Sequence, residues 1–505
     1  MSELFALAGP VLLPGLILLS LATALVIFPM AEGRVRLRST VNIVAAVAKV
    51  VLIGLLVPVV VTEGLRPEFA VPFLPGVDLV LRADPLALFV AGLSAVLWLL
   101  TTIYAIGYLE DRPHRSRFFG FFSLCVMATV GIAFAGNLVT FLVFYELLTL
   151  VTYPLVAHWG TPQSLRAARS YMRYAMTGGL AVLIGVVTLT MVAGPVDFAE
   201  GGAAGVAELA GDTPELAIAI FVLIVGGMGV KAALVPLHGW LPAAMVAPAP
   251  VSALLHAVAV VKAGVFGIVR TVDDVYGIDV ASELGVLPPL LAAAAFTIIY
   301  GSYQALRQTD LKKRLAYSTV SQVSYVTLGI ATANVLATTG GVVHLVHQGI
   351  MKITLFFCAG LFAEVLRAHT VQDLRGAGRR MPWTSAAFTI GAFGMIGLPP
   401  TAGFISKWQL AQGAMGTEHT WVLAILIGSS VLNAAYFLPV VYRLWWSDAT
   451  EVPEGIAATG VLREPRSLLL PALVTAGFTL ALGIGASLSF APLGMAQLIA
   501  EGVFR

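Results

Sequence analysis

The chain has 505 residues, of which 59% are hydrophobic and only 11% are charged, and its mean hydropathy is +0.93. Soluble globular proteins carry about 25% charged residues, so this composition excludes a soluble globular protein and indicates one whose solvent is largely lipid. The net charge of +2 is too small to indicate a nucleic-acid partner, and none is expected.

Apolar stretches predict an all-α integral membrane protein with about 14 spans and no soluble domain between them. A span needs roughly 20 mainly apolar residues. The first stretch lacks a basic leader and a small-residue cleavage site, so we interpret it as a span rather than a signal peptide. The predicted spans, numbered in chain order, lie near 8–30, 40–62, 85–108, 117–135, 138–158, 170–194, 215–237, 250–270, 285–303, 315–333, 338–366, 384–414, 421–443 and 467–489.

The loop charges predict an orientation. Cytoplasmic loops carry an excess of Lys and Arg, and here basic residues follow the odd-numbered spans except span 7. Acidic residues follow spans 6 and 8, including Asp197, Glu200, Asp273 and Asp274. The alternation predicts both termini on the non-cytoplasmic side of an inner (plasma) membrane. The basic loop residues include Arg34, Arg36, Arg112, Arg115, Arg166, Lys312, Lys313, Arg375, Arg379 and Arg443.

Two spans are predicted to be broken by proline. Pro236 follows Lys231 in span 7, and Pro399 and Pro400 precede Lys407 in span 12. Unwound backbone inside a membrane persists only where it is buried in protein or lines a cavity. Such breaks at corresponding positions predict an inverted repeat with a midplane site. We expect four parts: residues 1–116 (spans 1–3), 117–271 (first repeat, spans 4–8), 272–446 (second repeat, spans 9–13) and 447–505 (span 14).

Six ionisable residues lie inside the predicted spans. Each costs about 2.5–3.5 kcal/mol at a helix centre on insertion scales, so such residues normally face the bundle interior and mark ion pathways. We interpret Lys49, which lies outside the repeats, as snorkelling or structural. The six are Lys49, Glu146, Lys231, Lys262, Lys352 and Lys407.

Glu146 and Lys231 are predicted to form an ion pair that can separate. A nearby carboxylate favours the charged lysine, so moving the carboxylate away would expel a proton. A permanently paired structural carboxylate is the alternative. Histidine is a natural relay near neutral pH, and four histidines are candidates beside the lysines, although a membrane histidine also serves as a simple hydrogen-bonding group. They are His238, His256, His344 and His347.

The charged residues are expected at similar depths, so that the row would run along the membrane plane. The string GGMGVK at 226–231 is not a nucleotide loop, because no strand precedes it and no Ser or Thr follows the lysine. Cys125 and Cys358 stand singly in apolar runs and indicate packing. No cofactor and no metal site is expected.

Several strings resemble the antiporter-like proton-pumping subunits shared by respiratory complex I and the multisubunit Mrp-type sodium/proton antiporters. The resemblance covers nearly the whole chain. The strings are ADPLALFV at span 3, FYELLTLVTYPLV in span 5, VKAALVPLHGWLPAAMVAPAPVSALLHAVAVVKAGVFGIVR over spans 7 and 8, TDLKKRLAYSTVSQVSYV leading through span 10, HLVHQGIMKITLFF in span 11 and GLPPTAGFISK in span 12.

The resemblance implies a role for each matching position. Glu146 and Lys231 resemble the paired glutamate and lysine of the family's helices 5 and 7. Lys262 or His256 resembles its central helix 8 relay, and Lys352 with His344 and His347 resembles its helix 11 relay. Lys407 resembles the terminal helix 12 group. The implied activity is ion translocation without redox chemistry, carried out within a complex rather than by an independent enzyme.

Departures from the family pattern narrow the kinds of subunit that the chain could be. Lys407 stands where the subunit 4 type of complex I is expected to carry glutamate. The subunit 5 type usually continues into a long lateral helix, and the few residues after span 14 disfavour it. The Mrp D-subunit type and a subunit 2-like type remain, and we favour the first. The expected partners are other membrane subunits, protons and a monovalent cation, with Na⁺ favoured. The alternatives are a redox-driven proton pump of complex I type, an independent solute transporter and a structural scaffold.

Overall fold

The computed structural model describes residues 2–448 and 460–504, with side chains from residue 10 onward. Part of the predicted C-terminal unit, residues 449–459, lies outside the described residues. The N-terminal part has three long helices. A hairpin, which lies in the predicted gap between spans 2 and 3, precedes the third. These elements are α1 (Ser2–Ile27), α2 (Val35–Val57, continued by a π-helical turn over Pro58–Thr62), β1 (Glu68–Leu74), β2 (Val77–Arg82) and α3 (Pro85–Tyr108).

The hairpin is antiparallel. Its register places Glu68 opposite Arg82, with an irregularity between Pro72 and Leu74. The next eight helices cover the predicted first repeat, with α11 continuing a few residues beyond it. They are α4 (Arg115–Ala133), α5 (Leu138–Val156), α6 (Pro162–Ala193), α7 (Ala204–Asp212), α8 (Pro214–Lys231), α9 (Trp240–Ala243), α10 (Ala249–Ala257) and α11 (Val260–Arg270, continued by a π-helical turn over Thr271–Tyr276).

The remaining helices form the second half. They are α12 (Ile278–Glu283), α13 (Leu287–Arg307), α14 (Leu311–Ala331), α15 (Val335–Leu366), α16 (Ala377–Arg380), α17 (Pro382–Ile396), α18 (Ala402–Met415), α19 (Val422–Trp446), α20 (Arg466–Ile484) and α21 (Pro492–Val503).

Polar caps explain where several of these helices begin. Asp84 accepts a hydrogen bond from the backbone N–H of Ala87 at the start of α3, and Asn137 caps α5 in the same way through Thr140. Asp310 caps α14 through the N–H of Lys313. Such side chains replace the backbone acceptors that the first turn of a helix lacks.

Twelve helices within residues 2–448 and 460–504 are long and apolar enough to cross a membrane. Two predicted spans are absent from this set. The span near 315–333 is α14, which is rich in Ser and Thr and begins with Lys312, Lys313 and Arg314. The span near 384–414 is divided into α17 and α18, each too short to cross alone. The multispan all-α architecture is therefore confirmed, and the number 14 stays a prediction.

The two predicted breaks are present. After α8 the chain turns through residues 232–239, where Ala233 has a left-handed φ of 57°. The indole N–H of Trp240 donates to the carbonyl of Val230 at 2.7 Å, so one carbonyl freed by the break is satisfied. Residues 397–401 separate α17 from α18, and Gly397 has a φ of 91°. Proline explains both interruptions because it cannot donate to the preceding turn.

The predicted span near 250–270 is present as the apolar segment Ala249–Tyr276, with one interruption. It is interrupted between α10 and α11 at Val258 and Ala259, whose backbone angles depart from the helix (φ −120° and −111°). Neither residue is Pro or Gly. The helix over 249–276 is nevertheless enclosed on all sides by other helices, and α15 is largely so. The helices that carry Lys262 and Lys352 are therefore among the most enclosed of the bundle, while α2, α6 and α19 present exposed apolar faces.

Candidate functional site

Glu146 and Lys231 lie together at the break in α8. The Lys231 Nζ is 4.0 Å from Glu146 Oε1, which is an ion-pair distance longer than a hydrogen bond. The ammonium instead donates to the backbone carbonyl of Tyr145 at 2.5 Å and lies 3.1 Å from the centroid of the Tyr145 ring. Lys231 is fully buried, whereas the Glu146 side chain is 29% exposed. The predicted pair is present, but no hydrogen bond joins its two members and the Glu146 side is partly exposed.

Gly179 on α6 gives the Glu146 carboxyl its space. A Cβ at this position would overlap Glu146 Oε1, so any larger residue would displace the carboxyl group. Glu146 Oε1 has no hydrogen-bond partner among the described residues. This oxygen is therefore held by shape and by the nearby ammonium rather than by a hydrogen-bond donor.

Lys262 links α11 to α15. Its Nζ donates to the carbonyl of Leu345 at 2.7 Å and to Oε1 of Gln348 at 2.5 Å. Gln348 lies one turn before Lys352 on α15, but the Gln348 side chain contacts Lys262 on α11. His256 stacks on Phe356 with ring centroids 4.6 Å apart, and neither ring nitrogen has a partner in the described chain.

Lys352 and His344 both lie on α15 but contact different helices. The Lys352 Nζ donates to Ser318 Oγ at 2.5 Å, with the carbonyl of Leu315 at 3.5 Å, both on α14. The His344 Nδ1 is 2.8 Å from Ser406 Oγ on α18, next in sequence to Lys407. His344 therefore lies on the side of Lys407, rather than serving only Lys352 on its own helix.

Lys407 caps the broken end of α17. Its Nζ donates to the carbonyls of Met395 and Ile396 at 3.1 and 2.9 Å, and to Ser430 Oγ at 3.1 Å. These carbonyls are free because α17 ends at Ile396. The ammonium also lies 5.4 Å from the centroid of the Tyr325 ring. The second break thus supplies neutral acceptors to a buried lysine, as the negative end of a helix dipole favours.

The two remaining histidine candidates are less connected. His238 lies in the break after α8, packs edge-on against Tyr300 with centroids 5.2 Å apart, and is 8% exposed. His347 is buried on α15, and its Nδ1 has no hydrogen-bond partner among the described residues.

Helix contacts connect the candidates into one series. Glu146 on α5 faces Lys231 on α8, and α8 packs on α11, where Gly264 approaches Ala232 so closely that a Cβ would overlap its backbone nitrogen. From α11 the series passes to α15 through Lys262, and from α15 to α18 through His344. The relay roles of these residues, and their depth in the membrane, remain predictions.

Lys49 is not a snorkelling residue. It is fully buried, its ammonium donates to Ser20 Oγ on α1, and it lies 5.1 Å from the centroid of the Trp98 ring on α3. The structural alternative agrees with these contacts, since the lysine joins the three N-terminal helices.

A buried cluster of charges was missed. Asp273 and Asp274 were predicted in a loop, but they are buried in the helical turn that continues α11, so that prediction is wrong. The Arg270 guanidinium donates to Asp274 at 2.6 Å and to Asp84 at 2.7 Å. Both Asp273 oxygens lack a partner among the described residues. The i, i+4 spacing of Arg270 and Asp274 was the available signal.

The cluster borders a cavity of about 590 Å³, which Arg66, Arg82 and Glu200 also line. Two surface ion pairs connect the same region, because Arg66 pairs with Glu200 at 3.2 Å and Arg82 with Asp197 at 3.3 Å. Within the described residues, no group of three or more His, Cys, Asp or Glu side chains is arranged to hold a metal ion.

Comparison with protein families gives two matches. Residues 135–433 match the family model described as NADH:quinone oxidoreductase/Mrp antiporter, transmembrane. Residues 76–119 match the model for the N-terminus of NADH-ubiquinone oxidoreductase (complex I) chain 5. The first match covers more than half of the chain and includes α5, both breaks and every candidate from Glu146 to Lys407.

Similar proteins come from both kinds of complex. NADH-quinone oxidoreductase subunit N of Desulforudis audaxviator (strain MP104C) is 36% identical, over 81% of this chain and 81% of its own. The D subunit of the Na(+)/H(+) antiporter of Bacillus subtilis (strain 168) is 26% identical, over 94% of both chains.

The fold is also found among solved structures. A chain of the Mrp complex from Dietzia sp. DQ12-45-1b superposes with a TM-score of 0.85 at 23% identity, covering 98% of this chain and 99% of that one. A chain of the membrane-bound sulfane sulfur reductase, an archaeal respiratory membrane complex, gives a TM-score of 0.83 at 23% identity, with the same coverage of both chains. The protein is therefore a multispan membrane subunit that belongs to the NADH:quinone oxidoreductase/Mrp antiporter family.

Proposed function

We propose that this chain is the ion-translocating, D-type subunit of a multisubunit monovalent cation/proton antiporter, with Na⁺ as the exchanged cation. The observation that carries the proposal is the Glu146–Lys231 pair at 4.0 Å beside the break in α8. No hydrogen bond joins the two groups and the Glu146 side chain is 29% exposed, so their separation breaks no direct hydrogen bond and leaves the carboxylate in contact with its surroundings. The end-to-end match with the D subunit of an antiporter supports the subtype.

In this proposal protons pass along the row of buried groups. Glu146, the partly exposed member, exchanges a proton with the surroundings, and Lys231 responds to its charge. Lys262 and Lys352 continue the row around α15, and His344 with Ser406 leads to Lys407. His238, His256 and His347 are proposed as accessory relay groups. Partner subunits would provide the cation path or the coupling that a single chain lacks.

The test is Glu146→Gln in the assembled complex. The amide has nearly the same shape but cannot take up and release a proton, so we expect exchange to fall at least tenfold while the complex still assembles. Transport is measured as the collapse of a pH gradient in everted vesicles on addition of Na⁺ or K⁺. Because one relative is named a probable K(+)/H(+) antiporter subunit, both cations are compared.

The matched control is Glu364→Gln. Glu364 pairs with Arg112 at 2.7 Å near the end of α15, and its side chain is 28% exposed, similar to that of Glu146. This variant removes the same charge from a surface ion pair and should exchange normally. Normal exchange by Glu146→Gln would contradict the proposed role of the carboxylate.

A proton-pumping subunit of a complex I-like NADH–quinone oxidoreductase is the second candidate. The 36% identity with a subunit N favours it, and the buried row would serve either driving force. The composition of the purified complex separates the two candidates. Small hydrophobic subunits alone indicate an antiporter, and flavin or iron–sulfur subunits indicate a redox pump.

We further infer the division into parts 1–116, 117–271, 272–446 and 447–505, with the two middle parts as inverted repeats. The corresponding positions of the breaks after Lys231 and before Lys407 support this division. A plasma-membrane location with both termini on the non-cytoplasmic side belongs to the same proposal, and the distribution of basic loop residues supports it.

A further inference from the structure

A groove runs along the outer face of α19. Its volume is about 690 Å³, and Val431, Ala435, Leu438 and Pro439 line its apolar part. The small side chain of Ala435 leaves the space, and Pro439, which has no N–H, leaves the carbonyl of Ala435 without its usual helical donor. The groove is therefore a local consequence of the sequence of α19.

The groove from Val431 to Arg443 has about the length of one leaflet of a bilayer. Val431 is 63% exposed and Leu438 is 44% exposed. At 1.5 Å per residue, the helix between Val431 and Arg443 is about 18 Å long. Half of the hydrocarbon core of a bilayer is about 15 Å. An acyl chain lying against this face would thus begin at Arg443 and end near Val431.

Two arginines close one end of the groove. Arg375, from the segment after α15, and Arg443 on α19 line the same cavity, and the N–H of Gly376 donates to the carbonyl of Arg443 at 2.9 Å. In the described part of the chain neither guanidinium has a hydrogen-bond or ion-pair partner. The nearby Asp448 pairs instead with Arg379 at 3.6 Å. Among the residues that the structure describes, this end of the groove therefore carries two arginines without an acidic partner.

Aromatic side chains place this end at the membrane surface. Tyr442 and Trp446 stack with centroids 6.3 Å apart, and they are 60% and 68% exposed. Tyr and Trp are enriched at the level of lipid headgroups. The arginines therefore lie where a lipid phosphate would lie, and the apolar groove extends from them toward the bilayer centre.

We propose that the α19 groove is a binding site for a diacyl phospholipid with an anionic headgroup. The phosphate would be held between Arg375 and Arg443, and one acyl chain would fill the space above Ala435 and Pro439. A zwitterionic lipid would leave part of the positive charge uncompensated. A helix of another subunit would need to supply acidic side chains at the same end, so the charge favours the lipid.

The experiment measures lipid retained by the purified complex, using native mass spectrometry and lipid extraction. Vesicles of phosphatidylglycerol and phosphatidylethanolamine are the lipid source. In the double variant Arg375→Gln/Arg443→Gln we expect retained phosphatidylglycerol to fall by roughly tenfold, with phosphatidylethanolamine unchanged. The charge-matched control is Arg34→Gln/Arg36→Gln, which removes two exposed arginines at the start of α2 and should retain the lipid.

A second pair of variants tests the groove itself. Ala435→Trp fills the space while keeping both arginines, and it should also reduce phosphatidylglycerol retention. Ile427→Trp, at an equally exposed site one turn beyond the groove, should not. Equal retention in all variants, or an equal loss in the Arg34/Arg36 control, would overturn the proposal. Cross-linking of Val431→Cys to another subunit would also overturn it, because a protein would then occupy the groove.

Discussion

The buried lysines are held mainly by neutral acceptors. Lys262, Lys352 and Lys407 donate to backbone carbonyls and to Gln or Ser oxygens. Of the four lysines of the proposed row, only Lys231 has a carboxylate within 4.0 Å in the described chain. Four ammonium groups beside one carboxylate would leave three uncompensated charges in a low-dielectric interior, at a cost of several kcal/mol each. The composition of the row therefore favours states in which some lysines are neutral, as the proposed proton transfer requires.

Gln348→Glu tests this reasoning at one residue. It places a carboxylate against the Lys262 ammonium in nearly the same shape, so the proton should be held there and exchange should slow by at least tenfold. Exchange is measured in vesicles, and assembly of the complex by its elution volume. Gln372→Glu, at an exposed position, adds the same charge and should have no effect. Unchanged exchange by Gln348→Glu would mean that Lys262 does not carry protons.

The sequence was sufficient to find the charged candidates but not their contacts. Lys262 and Lys352 each stand alone in an apolar run, so their burial inside a span was predictable. Their partners, such as Ser318 and the carbonyl of Leu345, come from other helices and have no distinctive local pattern. Asp273 and Asp274 were assigned to a loop because hydropathy does not register the ion pair of Asp274 with Arg270.

The breaks in α8 and between α17 and α18 were predictable because proline has a defined effect on a helix. The interruption at Val258 and Ala259 was not, since neither residue is one that breaks helices by itself. The two breaks caused by proline also lead to different contacts. The break after α8 brings Lys231 against α11, and the break after α17 provides carbonyls for Lys407.

Gly264→Ala tests the packing of α11 on the break in α8. The new Cβ would overlap the Ala232 nitrogen and lie 2.6 Å from the Lys231 carbonyl carbon, both backbone atoms that cannot move aside alone. We expect Lys231 to shift, exchange to fall, and the melting temperature of the purified complex to drop. Overpacking of this kind costs typically about 1–3 kcal/mol.

Gly226→Ala in α8 is the control for this element. A Cβ there meets nothing within 4 Å, so the substitution should be neutral or slightly stabilising. If Gly226→Ala lowers exchange as much as Gly264→Ala does, the loss does not arise from the contact between α11 and the break.

Contacts between loops support the alternation of sides across the whole molecule. Arg115, after α3, pairs with Glu32, after α1, and Arg112 pairs with Glu364 near the end of α15. On the other side Arg66 and Arg82 pair with Glu200 and Asp197, after α6. Arg115 is the first residue of α4 and Glu364 lies in the last turn of α15, so each ion pair joins loops or helix ends that were predicted on the same face. The N–H of Leu311, at the start of α14, donates to the carbonyl of His369, just after the end of α15. The start of α14 and the end of α15 therefore lie on one face, which agrees with a crossing of the membrane by the Ser-rich α14.

Cysteine labelling of intact cells and everted vesicles tests the absolute orientation. Both native cysteines are buried, so the background should be low. Glu208→Cys on α7 and Gln372→Cys after α15 are exposed positions on the two predicted faces. Since basic loops stay in the cytoplasm, a membrane-impermeant maleimide should label Glu208→Cys in cells and Gln372→Cys only in everted vesicles. The reverse pattern would invert the topology, and labelling of both from one side would remove the alternation on which the prediction of 14 spans depends.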